Sequence, residues 1–140
     1  MGMHNAHAKT GRANGLLISL AGGLAGGFLI WFLSPIITGQ QEAWDAGNGY
    51  YLCSLCACGI IFSLYSPRYF WAVAIGVFVG QLVYILLILE HGYLHPLGML
   101  FCFFDSLIAL WSGMFVFIVQ KLLEHAKPST TTTDVSEALK

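Results

Sequence analysis

Four long apolar stretches, over residues 16–37, 49–66, 69–89 and 96–119, occupy most of this 140-residue chain. Each approaches the ~20 residues that an α-helix needs to cross the hydrocarbon core of a bilayer. The stretches are apolar on every face and do not alternate, which excludes the strands of a closed membrane barrel. Charged residues make up 9% of the chain, against roughly 25% in a soluble domain. The predicted architecture is therefore an all-α membrane protein, a four-transmembrane-helix bundle forming one domain over residues 1–125. The polar segment 126–140, with Thr130 to Thr133 in a row, is expected to be a disordered tail. The loops are too short to hold a soluble catalytic domain.

Local signals support these boundaries. Pro67 stops the second stretch, because proline lacks an amide donor and biases the residue before it away from helix. The second and third helices are therefore expected to form a tight hairpin. Pro96 suits a helix start, where the first amides are unpaired in any case. The first stretch is too long for the apolar region of a secretory leader and is expected to be retained. The opening Met-Gly has Ala6 where a myristoylation signal needs Ser or Thr.

Charge placement predicts the orientation. All six basic residues, Lys9, Arg12, Arg68, Lys121, Lys127 and Lys140, precede the first stretch, lie in the second loop or follow the fourth stretch, whereas the first and third loops carry Glu42, Asp45 and Glu90. The positive-inside rule then puts both termini in the cytoplasm. Trp44, Tyr50, Tyr51 and Tyr93 are expected as an outer aromatic belt, and Tyr65, Tyr69, Phe70 and Trp71 as an inner one. A net charge of −1 provides no basic patch for nucleic acid.

Helices in lipid associate through close packing and hydrogen bonds, since they gain little by hiding apolar surface. Small residues should therefore mark the contacts. They are Gly22, Gly23, Gly26 and Gly27 in the first helix and Gly76 and Gly80 in the third. The second offers Cys56, Gly59, Ser63 and Ser66; the fourth offers Gly98, Cys102, Asp105, Ala109 and Ser112. These stripes serve equally a bundle within one chain or a homo-oligomer.

Asp105 is the one carboxylate inside a predicted span, and a charge at that depth costs about 2.5 kcal/mol or more. Gln81 is expected at the same depth and is the natural partner, with a neutral Asp105 donating to its carbonyl oxygen. The same two residues form the expected intramembrane polar site if the protein carries a proton or a cation.

Cys53 and Cys56 have the Cys-x-x-Cys spacing of thiol–disulfide enzymes. Cys53-Ser54-Leu55-Cys56 resembles the first cysteine pair of the DsbB family of four-span quinone-linked thiol oxidases, and that resemblance implies a redox role for the pair. The family's second pair has no counterpart in the loop from Glu90 to His95, and no arginine follows Cys56 closely. Cysteine as a small apolar packing residue is the simpler reading. Glu90, His91 and His95, with Glu42 and Asp45, do not have a diagnostic metal-ligand spacing, and neither a metal nor a cofactor is expected.

Trp44-Asp45, Pro67-Arg68 with Trp71, Gly80-Gln81 and Pro96-Leu97-Gly98 together resemble a family of short, uncharacterised bacterial four-span membrane proteins. The resemblance implies the bundle and a bacterial inner membrane and carries no activity. The expected function is that of a non-enzymatic accessory or assembly subunit, partnered by the bilayer and by its own copies or a larger membrane protein. A small transporter or channel using Asp105 and Gln81 is the alternative, and a thiol oxidoreductase the third reading.

Overall fold

A computed structural model describes residues 3–46, 49–88 and 95–126. Helix α1 (Met3–Thr38) is followed by a 3-10 turn (Ala43–Asp45), α2 (Tyr50–Tyr65), a second 3-10 turn (Pro67–Tyr69), α3 (Phe70–Leu87) and α4 (His95–Ala126). No strand occurs among the described residues. The expected tail over 126–140 and the belt residue Tyr93 lie outside the described part, except for Ala126 at the end of α4.

Two helices are longer than their apolar stretches. Helix α1 begins at Met3 and α4 runs on to Ala126, because hydropathy marks where a helix suits lipid and not where its backbone pairing stops. His, Asn, Ala and Lys continue a helix at a cost of well under about 1 kcal/mol each. Three stretches are long and apolar enough to cross a membrane: Ala13–Thr38, Pro67–Leu87 and Leu97–Ala126. Helix α2 has 16 residues, about 24 Å at the helical rise, and is shorter than a full span. Pro67 does end α2, as the first residue of the second 3-10 turn, where the Tyr69 amide donates to the Ser66 carbonyl oxygen at 2.9 Å.

The directions of the helices follow from which residues meet. Positions along α1 and α3 rise together: Gly23 lies against Val73, Gly27 against Val77, and in return Gly76 against Leu20 and Gly80 against Leu24. Those two helices are parallel. The same holds for α2 and α4, where Gly59 faces Ala109 and Gly113 faces Ser63. Helices α1 and α2 are antiparallel, since Gly15 faces Ser66, Gly22 faces Phe62 and Gly26 faces Cys58. Phe70 on Phe117 and Phe78 on Phe103 show that α3 and α4 are antiparallel as well. The bundle runs up, down, up, down, with the start of α1 and the end of α4 at one end. The tight hairpin expected of α2 and α3 exists only at its turn, because the closest packing is between the parallel pairs α1–α3 and α2–α4.

The interior sets small polar residues among buried apolar ones such as Leu55, Val73, Val77 and Ile85. Ser19, Ser34, Ser63, Gln81 and Ser106 are buried, while Leu17, Ile36, Leu87, Trp111 and Phe115 are each at least 65% exposed. One aromatic cluster breaks this pattern at the end remote from the termini. Trp31, fully buried, meets Trp44 edge-on at 4.7 Å, Tyr84 at 5.8 Å and Tyr51 at 6.3 Å between ring centroids. Trp44 is half-buried and packs inward against the bundle. Its indole N–H donates to Glu42 Oε2 at 2.7 Å within its own loop, which frees the ring to fold inward over Trp31 and Gly98. A side chain at residue 98 would start 2.9 Å from that ring.

Candidate functional site

Gln81, in the middle of α3, is fully buried, and a buried primary amide is costly unless its donors and acceptor are paired. Its Oε1 accepts a hydrogen bond from the Tyr51 hydroxyl at 3.3 Å. Its Nε2 has no protein partner, and neither has Nε1 of the fully buried Trp31 beside Tyr51. The Tyr51 hydroxyl also interacts with the Cys102 thiol and the Asp105 carboxyl of α4. Four polar side chains from three helices thus converge where the sequence suggested two.

The direct Gln81–Asp105 bond expected from their common depth is replaced by a relay. Tyr51 stands between them and gives its single hydroxyl proton to Gln81. Cys102 is fully buried beside it, while Asp105, one turn further along α4, is only half-buried on the flank of that helix. Tyr51 was missed because it lies near the start of a predicted span, where aromatic anchors are expected. Helical spacing could have found it: Tyr51, Leu55, Gly59 and Ser63 are four apart and share one face, and all four are buried. Tyr51 extends inward the same stripe that packs α2 on α4.

Removal of the relay should be felt in stability. Tyr51→Phe leaves both ends of the Gln81 amide without a protein partner and is expected to cost about 1–3 kcal/mol. Adding Gln81→Leu to Tyr51→Phe removes the orphaned amide and should recover at least half of that loss. Thermal unfolding of the single and double variants in detergent checks this, and strictly additive losses would show that the two side chains do not act together.

The glycines of α1 divide between two partners. Gly22 and Gly26 receive Phe62 and Cys58 of α2, whereas Gly23 and Gly27 receive the backbone of α3 at Val73 and Val77, which is in turn met by Gly76 and Gly80. The small-residue stripes are therefore matched within one chain. In α2 the buried cysteine is Cys58, while Cys56 is half-buried and Cys53 exposed; all four cysteines are free. No group of three or more His, Cys, Asp or Glu residues close enough to hold a metal ion occurs among the described residues. The loop residues Glu90 and His91 and the side chain of His95 lie outside them.

These features define a class: an all-helical bundle with three helices long and apolar enough to cross a membrane, and a polar relay inside it. No protein-family model, curated protein or solved structure matches the chain.

Proposed function

We propose that this is an integral membrane protein, inserted with both termini in the cytoplasm of a bacterial inner membrane, which acts as an accessory or assembly subunit for a larger membrane protein. The observation that carries this reading is Asp105. It lies mid-helix in α4, half-buried on the flank of a bundle whose small-residue stripes are already matched internally. A carboxyl at that depth is unfavourable against lipid by about 2.5 kcal/mol or more, and a donor from a neighbouring membrane protein removes the penalty. The exposed large apolar residues and the one-sided basic charge support insertion in the stated orientation. At 16 residues, α2 reaches across by local thinning of the bilayer or with its flanking turns.

The deciding experiment is purification in mild detergent from native membranes, with the mass of the intact particle measured. A particle containing this 15.3 kDa chain and one other subunit in fixed ratio is the expected result. A lone chain would overturn the reading.

The relay itself favours a second reading, a small transporter or channel. The unpartnered Gln81 Nε2, Tyr51 and Asp105 form a short polar file from the interior to the flank of α4, and ionisable groups inside spans are commonly placed on ion paths.

A further inference from the structure

At the opposite end from the aromatic cluster, the Pro67–Tyr69 turn and the last turns of α4 enclose a cleft of about 360 Å³, lined by Pro67, Arg68, Phe117, Gln120, Lys121 and Glu124. We propose that this cleft binds the headgroup of an anionic phospholipid, with the phosphodiester held by Arg68, Gln120 and Lys121.

Both walls are pinned by local structure. Pro67 has a restricted φ, and the bond from the Tyr69 amide to Ser66 closes the turn, so Arg68 rides on a fixed scaffold while its side chain remains exposed. On α4 the spacing of Phe117, Gln120, Lys121 and Glu124 by three, one and three residues puts all four on one helical face. The Phe117 ring packs against Phe70 at 5.7 Å and makes an apolar floor. The polar atoms stand beyond it, in the order that a phospholipid presents its acyl chains and then its phosphate.

The charges select the headgroup. Lys121 Nζ is paired with Glu124 Oε2 at 2.8 Å, with both side chains more than half exposed, so the pair is weak. Together with Arg68 the lining keeps one net positive charge, which complements a singly negative headgroup. Arginine also presents donors in a planar fork that matches two phosphate oxygens. Arg68 and Lys121 both lie at this end of the molecule, and on the proposed orientation it faces the leaflet where anionic lipid attracts them.

The test uses the full chain in mild detergent, first shown to be integral by its resistance to alkaline extraction from membranes. A failure of lipid selectivity is then separate from a failure of the membrane reading. Native mass spectrometry with added phosphatidylglycerol or phosphatidylcholine should show one tightly retained phosphatidylglycerol. Arg68→Gln should weaken retention about fivefold, the weight of one basic side chain at an anionic surface. Glu124→Gln should strengthen it by a similar factor, a gain that misfolding cannot imitate. Equal retention of the two lipids, no response to either substitution, or displacement by excess inorganic phosphate as effectively as by lipid would each overturn the proposal.

Discussion

Gly80→Leu is expected to abolish the packed bundle while leaving the helices themselves intact. A Cβ at residue 80 would run into the Leu24 carbonyl oxygen and come within 2.8 Å of the Phe28 amide nitrogen. Both obstacles are backbone, so no rotamer change relieves them, and α1 and α3 must move apart. The contact is reciprocal: Gly76 meets Leu20, and Gly23 and Gly27 meet Val73 and Val77, so separation at one glycine loosens the other three. Overpacking a close contact costs about 1–3 kcal/mol even where side chains can adjust, and here they cannot. In lipid no compensating hydrophobic force holds the two helices together.

The readout is far-UV circular dichroism together with maleimide labelling of Cys102, which is fully buried in the native bundle. The variant should retain its helix signal and label quickly. Gly22→Ala is the control, because its new methyl group would meet the ring of Phe62, which can turn away. Slow, wild-type labelling of the Gly80→Leu protein would show that α1 and α3 are not held by this interlock.

Asp105 carries the second large effect, and paired substitutions separate the two functional readings. If Asp105 engages a partner subunit, Asp105→Leu should reduce the co-purified partner by tenfold or more, in line with the ~1.4 kcal/mol that a lost charge-assisted hydrogen bond readily exceeds. Asp105→Asn keeps a polar side chain of the same shape and should retain most of the partner. If Asp105 instead carries a proton or cation, Asp105→Asn should abolish flux in liposomes, since the amide cannot ionise, while thermal stability stays near wild type. A partner retained by Asp105→Leu protein would sink the subunit reading. Normal flux through Asp105→Asn protein would sink the transport reading.

The segment-level plan was legible in the residues alone. Apolar runs announced the helices, Pro67 ended the second, and small residues marked the contact faces. Each of these is a property of a single segment, read from its own residues. The start of α1 and the end of α4 lie at one end of the bundle. Polar helix formers carried α1 and α4 past their apolar stretches because lipid preference and helix propensity are different quantities.

Which stripe meets which emerged when the four helices packed together. Every helix carried small residues, so several pairings satisfied the same local pattern; the chosen one joins the parallel pairs α1–α3 and α2–α4 and not the sequence neighbours α2 and α3. That choice depends on how four surfaces fit together at once, and no single segment encodes it. It also sends the Gly22–Gly26 and Gly23–Gly27 pairs to different helices and turns Trp44 inward. The same packing sets Tyr51 between Gln81 and Asp105. A hydroxyl near the end of a span reads as an interfacial anchor until the neighbouring helices close over it.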